Sequence, residues 1–109
     1  MNIINCYPKE LGERAKFGLM NSQTKKMSDL VGVAITPEEW ILYTDDSRGE
    51  DIEVLTIKVD GDVYGTISAT FIRAFKQMVD FFGTDVGEIL VNSGTSKAGR
   101  EYITCEVVW

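Results

Sequence analysis

The most regular hydrophobic pattern in the chain lies between Ser68 and Gly83. Apolar side chains recur there at helical spacing, at Phe71, Ile72, Phe75, Met78, Val79 and Phe82. This stripe predicts an amphipathic helix whose apolar face is buried. Ser68 is expected to cap the first turn, because a serine oxygen accepts a hydrogen bond from a free backbone amide, and Gly83 is expected to end the helix.

Alternating apolar and polar positions predict strands before and after this helix. The predicted strands cover residues 30–43, as one strand or as two broken at residues 36–39, then residues 52–59, a strand after Gly61, residues 87–92 and residues 102–109. Residues 1–7 also alternate, as a short strand or a loosely held arm. Residues 9–20 show weaker helical spacing, because Gly12 and Gly18 disfavour a helix.

Asp60-Gly61 predicts a tight hairpin turn between two of these strands. A two-residue turn would place Tyr64 on the same face as Ile57. A three-residue turn would instead point Tyr64 outward and bury Val63 and Ile67, and we predict this register because it buries more apolar surface. The exposed face of the hairpin would then carry Thr56, Lys58 and Tyr64.

Five short strands with a helix between the third and the fourth follow the order of the OB-fold, a small Greek-key barrel. The predicted fold class is therefore mostly β with α. A five-stranded OB-fold-like barrel is expected over residues 28–109, with residues 1–27 as a helical or irregular extension packed on or near it. At 109 residues the chain is expected to form a single domain. The pattern also allows an α+β sandwich, with the helix laid over an open sheet.

Composition argues against an enzyme or a metalloprotein. The chain has no histidine, which removes the commonest general base, and only two cysteines, which argues against a zinc site. No phosphate-binding glycine motif is present, so no cofactor is expected. No membrane-length apolar run or signal peptide is present, so a cytoplasmic location is predicted. Cys6 and Cys105 are therefore interpreted as free thiols, because a cytoplasmic location keeps thiols reduced.

The net charge of −6 opposes binding to phosphates, but the charges are segregated along the chain. Residues 14–28 carry four basic residues and no acid, whereas residues 38–62 hold nine acids and only two basic residues. Because the local field governs encounter with a ligand, a chain of this kind can present a positive groove while remaining acidic overall.

Residues 89–108 read as a long β-hairpin with a cationic, glycine-containing tip. Lys97 and Arg100 lie at the tip and Tyr102 at its base, a combination that suits a single nucleic-acid strand, since charges follow phosphates and a ring stacks on a base. The competing interpretation is an ordinary surface hairpin. The predicted nucleic-acid-binding residues are Lys25, Lys26, Thr56, Lys58, Tyr64, Lys97, Arg100 and Tyr102, together with the loop at Arg48 and, if they are not buried, the rings of Trp40 and Tyr43.

The segment Thr95-Ser96-Lys97-Ala98-Gly99-Arg100-Glu101-Tyr102 is similar to the Thr-Ser-x-x-Gly-x-x-Tyr hairpin of small single-stranded DNA-binding proteins of filamentous phages and of other phage OB-folds. The whole chain also resembles small proteins from replication modules of phages and mobile elements of low-GC Gram-positive bacteria. This resemblance implies a sequence-independent binder of single-stranded DNA that is often dimeric and coats replication intermediates. It nominates Lys97, Arg100 and Tyr102.

Several partners follow from these expectations. They are single-stranded DNA or RNA, a second copy of the chain and replication proteins. Binding to a membrane is not expected. The alternative function is a protein-interaction module on an OB-like scaffold. Its acidic segment, residues 38–62, would imitate nucleic-acid charge and dock on a host protein.

Overall fold

The computed structural model describes residues 2–22, 25–47 and 49–109, which form a mostly β fold with two helices. The strands are β1 (Asn2–Tyr7), β2 (Lys25–Lys26), β3 (Ala34–Ile35), β4 (Glu39–Asp45), β5 (Ile52–Val59), β6 (Asp62–Thr66), β7 (Ile89–Thr95) and β8 (Glu101–Val107). The helices are α1 (Glu13–Asn21) and α2 (Ala69–Phe82), and a short 3-10 turn covers Met27–Leu30.

The strands form two sheets rather than one closed cylinder. Five strands pair in the order β1-β4-β5-β6-β2, and three pair in the order β3-β7-β8. The predicted mostly β class with α is confirmed, but the predicted barrel closure is not found among the described residues. Of the two alternatives predicted for residues 30–43, the structure has the broken one, because β3 and β4 are separated at residues 36–38. The first of the two strands is shorter than predicted, because the 3-10 turn and Gly32, with φ of 85°, leave only the two-residue β3 beside β7.

The N-terminal segment supplies parts of the five-stranded sheet and of its cover. β1 pairs antiparallel with β4, so that Tyr7 lies opposite Trp40. Helix α1 packs on β4 and β5. The residues predicted as an extension therefore contribute an edge strand and a covering helix to the same sheet that contains the central strands.

Helix α2 follows the predicted pattern and closes the main core. The Ser68 side chain accepts a hydrogen bond from the Phe71 amide at 3.3 Å, and Gly83 ends the helix with a positive φ of 88°. The core beneath α2 draws on both sheets and includes Trp40, Leu55, Ile57, Phe71, Phe75, Ile89 and Val91. Neither helix in the described part of the chain has the length and apolar character needed to cross a membrane.

A second hydrophobic cluster lies on the other face of the five-stranded sheet, beneath α1. Its buried members are Cys6, Leu11, Leu19, Ile41, Tyr43 and Val54. Because β4 and β5 are covered on both faces, nearly all of their central residues are buried. The two cysteines belong to different clusters, and burial raises the pKa of the Cys105 thiol to about 12, which keeps it protonated and unreactive near neutral pH.

The predicted three-residue turn after β5 is wrong. Val59 pairs with Asp62, so the turn is the two-residue loop Asp60-Gly61, whose residues both have positive φ, 51° and 81°. Positive φ at both positions is the geometry of a type I′ hairpin turn. Tyr64 therefore lies opposite Ile57 and packs against the main core instead of pointing outward. Burial does not select the three-residue turn, because both faces of this sheet are covered and Val63 packs on the second cluster.

Thr56 was predicted to be exposed and is fully buried, opposite Ile41 in β4. Its hydroxyl has no hydrogen-bond partner among the described residues. An unpaired buried hydroxyl costs about 1–3 kcal/mol, so Thr56→Val is expected to raise the free energy of unfolding by about 1 kcal/mol. The measurement is guanidinium-induced unfolding followed by circular dichroism.

Thr66→Val is the matched control for this prediction. The Thr66 hydroxyl accepts a hydrogen bond from the Ser68 amide at 3.0 Å, so the same substitution there removes a bond and should lower stability. A loss of stability in Thr56→Val would show that the Thr56 hydroxyl does find a partner in solution.

Candidate nucleic-acid interface

The tip of the β7–β8 hairpin is an ordered turn that carries two exposed cations. The Ser96 amide donates to the Arg100 carbonyl at 2.8 Å, and the Ser96 hydroxyl oxygen accepts from the Arg100 amide at 3.2 Å. Gly99 has a φ of 82°, which this turn requires and which favours glycine. Lys97 and Arg100 are both exposed, and neither forms an ion pair with a described residue. Both positive charges are therefore available to a ligand.

The Tyr102 ring lies against the neighbouring strand, in the space that a glycine leaves open. Tyr102 lies directly opposite Gly94 in β7. A Cβ atom placed on Gly94 would lie 2.5 Å from the Tyr102 hydroxyl oxygen and 2.6 Å from its Cζ atom, so the ring occupies the space that a side chain at Gly94 would fill. Tyr102 remains 37% exposed. The hairpin thus presents a partly exposed aromatic ring that is packed against β7.

A cleft of about 590 Å³ runs beside this ring. It is lined by Ser28, Val31, Ser68, Ser93, Glu101, Tyr102 and Ile103. The Ser68 hydroxyl donates to the Ile103 carbonyl at 3.3 Å, which joins the start of α2 to β8. Ser28 and Ser93 are exposed and offer hydroxyl groups, whereas Glu101 places one carboxylate at the cleft. This chemistry suits a ligand with an aromatic face and hydrogen-bonding groups.

Lys25 and Lys26 form β2, which runs parallel to β6 at the edge of the five-stranded sheet. Lys25 Nζ lies 2.9 Å from Asp62 Oδ2 and 5.9 Å from the centroid of the Tyr64 ring. The hydrogen bond to Asp62 raises the pKa of Lys25. Lys25 is therefore partly neutralised by its own neighbour, whereas Lys26 is exposed and has no ion-pair partner among the described residues.

The predicted surface formed by Thr56, Lys58 and Tyr64 does not exist. Thr56 is buried, and Tyr64 faces the main core. Lys58 lies opposite Val63 on the other face of the hairpin, with its Nζ atom 3.9 Å from Glu39 Oε1. Successive side chains along a strand point to opposite faces of the sheet. Lys58 and its partner Val63 therefore lie on one face, and Tyr64, opposite Ile57, lies on the other.

The structure brings some of the remaining predicted residues together. Lys97, Arg100 and Tyr102 belong to one hairpin. Lys26 precedes the 3-10 turn, whose Ser28 lines the same cleft as Tyr102. Because two residues span at most about 7 Å, the backbone of Lys26 lies within about 7 Å of that of Ser28. We use the name hairpin cleft for the cleft beside Tyr102 together with three cations that are near it in the chain, Lys26, Lys97 and Arg100.

Other predicted contacts fall outside the hairpin cleft. Trp40 and Tyr43 are 1% and 3% exposed, so neither ring can stack on a base. Arg48 lies outside the described residues. Gly94, which makes room for the Tyr102 ring, was not identified from the sequence, although a glycine inside a strand is a known sign of close approach by another group.

The hairpin cleft has a local sequence signature in Thr95–Tyr102, and the resemblance of that segment to phage single-stranded DNA-binding proteins remains a prediction. Comparison with known proteins does not extend it. No protein-family model matches the chain, and neither the curated proteins nor the solved structures yielded a similar protein.

Proposed function

We propose that this protein binds single-stranded nucleic acid in the hairpin cleft and catalyses no reaction. The observation that supports the proposal is the partly exposed Tyr102 ring, held over Gly94 and flanked by the exposed cations Lys97 and Arg100. In its specific form, the proposal is that the ligand is single-stranded DNA and that the protein acts in the replication of a phage or mobile element inside a bacterial cell. The strands that carry the site would be arranged as in an OB-fold. That form rests on the resemblance of Thr95–Tyr102.

A partly exposed aromatic ring is suited to binding without sequence preference. Every base has a π face, and stacking on an aromatic side chain contributes about 1–3 kcal/mol per base. Since the Tyr102 ring already lies against Gly94, little conformational freedom is lost when a base stacks on it. A duplex hides its base faces, so the same ring favours single strands over double-stranded DNA.

The cations of the hairpin cleft supply the contacts to phosphate. Lys97, Arg100 and Lys26 are exposed and make no ion pair with described residues, so binding a phosphate breaks no existing salt bridge. Lys25 would first have to leave Asp62. With so few available cations and a net charge of −6, binding should be moderate in strength and should require low to intermediate salt.

The test is a fluorescence anisotropy titration of labelled oligothymidine at two salt concentrations. Three phosphate contacts predict a slope of about −2 for log K against log salt, because each contact on a single strand contributes about −0.7. A fourfold rise in salt should therefore weaken binding roughly 20-fold. Absence of binding at low salt, or an affinity that does not change with salt concentration, would rule out the proposal.

The acidic segment gives less support to the alternative function, a mimic of nucleic acid that docks on a host protein. Several of its carboxylates are engaged by lysines of this same chain: Glu39 by Lys58, Glu53 by Lys76 and Asp62 by Lys25. A mimic needs its negative charges free for a basic partner. Three of the nine acids of this segment are paired in this way, which weakens that field and gives the mimic less support than binding of nucleic acid.

A further inference from the structure

The outer face of the β7–β8 hairpin carries a hydrogen-bonded pair of polar side chains near Tyr102. Asn92 Nδ2 donates to Glu106 Oε1 at 2.6 Å, and the bond is short because its acceptor is a charged carboxylate. Val91 and Cys105, which directly precede the two members of the pair, are buried in the main core, so Asn92 and Glu106 point away from it. Glu106 is exposed and forms no ion pair with a described residue, so its negative charge is not neutralised.

Tyr102 shares this outer face with the pair. Asn92 of β7 lies opposite Thr104 of β8, and Gly94 lies opposite Tyr102. Tyr102 and Asn92 are therefore diagonal neighbours, about 7–8 Å apart, a separation that large groups can bridge. Because β8 is an outer strand of its three-stranded sheet, this face adjoins the cleft along that strand. A base stacked on the Tyr102 ring thus comes within reach of the Asn92 side chain.

The bond to Glu106 determines which end of the Asn92 carboxamide faces Tyr102. An ionised carboxylate accepts hydrogen bonds and cannot donate them, so the amide nitrogen of Asn92 has to face Glu106. Glu106 and Tyr102 lie on opposite sides of Thr104 along β8. Since the amide oxygen points away from the amide nitrogen, Asn92 Oδ1 lies on the side of the pair that is nearer to Tyr102. No described residue donates a hydrogen bond to it.

We propose that Asn92 gives the Tyr102 site a preference for bases with an exocyclic amino group, cytosine and adenine, over thymine. This inference rests on the proposed function, in which a base stacks on Tyr102. Cytosine N4 and adenine N6 donate hydrogen bonds, whereas thymine presents the acceptor O4 at the corresponding position. An amino group can donate to Asn92 Oδ1, but a carbonyl oxygen there is repelled by it and by the charge of Glu106. Asn92 is the residue that contacts the base, and Glu106 positions it.

The preference is expected to be modest and to be added to stacking, which by itself treats all bases alike. One hydrogen bond between protein and base replaces bonds that both groups make to water, so its net effect on affinity is about 3- to 10-fold. Strands of cytidine and thymidine are the sharpest comparison, because both bases are pyrimidines of nearly the same stacking area. Deoxyuridine has the carbonyl group of thymine without its methyl group, so it separates the effect of the amino group from that of the methyl group.

The test is anisotropy of labelled oligodeoxycytidine, oligothymidine and oligodeoxyuridine of one length, at low salt and mildly alkaline pH. The wild type should bind the cytidine strand about 3- to 10-fold more tightly than the other two. Asn92→Ala should bind all three about equally. Asn2→Ala makes the same substitution on an exposed strand of the other sheet and should keep the wild-type preference. Equal affinities in the wild type, a uridine strand that binds like cytidine, or an unchanged preference in Asn92→Ala would overturn the proposal.

Glu106→Ala tests whether Glu106 acts through Asn92. It removes the group that orients the carboxamide, so the preference for cytidine should fall. Affinity for thymidine should not fall, because a negative charge beside the strand is removed as well. A merely structural role of Glu106 would weaken binding of both strands alike and would contradict the assignment.

The two proposals fail in different ways. If the protein binds none of the three strands, both the proposed function and the base preference are wrong. If it binds all three equally and with the expected salt dependence, and Tyr102→Ala still weakens binding, only the base preference is wrong.

Discussion

Replacing Trp40 by alanine is expected to lower the free energy of unfolding by about 3–5 kcal/mol, as for other large aromatic residues in well-packed cores. Trp40 is 1% exposed, and its ring meets that of Phe75 edge to face, with centroids 5.0 Å apart. Its Nε1 atom donates a hydrogen bond to the Thr84 carbonyl at 2.8 Å, so the side chain ties β4 to α2 and to the segment that follows α2. Since domains of this size are stable by only about 5–15 kcal/mol, this single change should remove much of the total.

Two further variants separate the contributions of Trp40. Trp40→Phe keeps a ring against Phe75 and loses the bond to Thr84, so it should fall between the wild type and Trp40→Ala. Trp109→Ala removes the same kind of side chain from a fully exposed position and should change stability by less than about 0.5 kcal/mol in dilute solution. The measurement is guanidinium unfolding followed by circular dichroism. Equal losses for Trp40→Ala and Trp109→Ala would contradict the described core.

Tyr102→Ala is expected to weaken binding of oligothymidine by roughly 5- to 150-fold, the range that corresponds to about 1–3 kcal/mol for one stacked base. The reason is geometric. Tyr102 is the partly exposed ring of the hairpin cleft, whereas Trp40 and Tyr43 are buried and Tyr64 packs against the main core. Loss of the Tyr102 ring therefore removes the stacking platform that the cleft provides. Binding is measured by anisotropy at low salt.

Conservative variants distinguish stacking from a structural role of Tyr102. Tyr102→Phe keeps the ring and should bind oligothymidine nearly as well as the wild type. Tyr102→Leu still covers Gly94 but has no π face, so it should bind as poorly as Tyr102→Ala while retaining more of the hairpin's stability. Wild-type affinity in Tyr102→Leu would show that no base stacks at this position.

Local pattern was enough to predict helix α2 and the cationic hairpin tip. The stripe from Phe71 to Phe82 and the serine cap are determined by neighbours a few residues apart, and the structure has both. Lys97 and Arg100 likewise belong to a turn whose residues are close in sequence. Features of this kind depend on spacing and turn chemistry, which a sequence displays directly.

The failures concern contacts between distant segments. The face of β5 that carries Thr56 is buried because α1, more than thirty residues earlier, covers it. Because apolar side chains are buried on both faces of this sheet, their alternation does not distinguish the two possible registers, and the predicted turn after β5 is wrong. The pairing of Lys25 with Asp62 is also a tertiary contact, and it engages a lysine that was predicted from the sequence to contact a phosphate. Only the folded chain shows which charges are already neutralised.

The most direct test of the proposed interface compares two double variants that remove the same amount of positive charge from different places. Lys97→Gln with Arg100→Gln removes the hairpin tip's cations, whereas Lys9→Gln with Arg14→Gln removes two exposed cations from the region of α1. The first should flatten the salt dependence of oligothymidine binding by about 1.4 in slope, because two phosphate contacts are lost, and the second should leave it unchanged. Equal changes in the two variants would mean that the hairpin tip makes no specific contact with the strand and would contradict the proposed function.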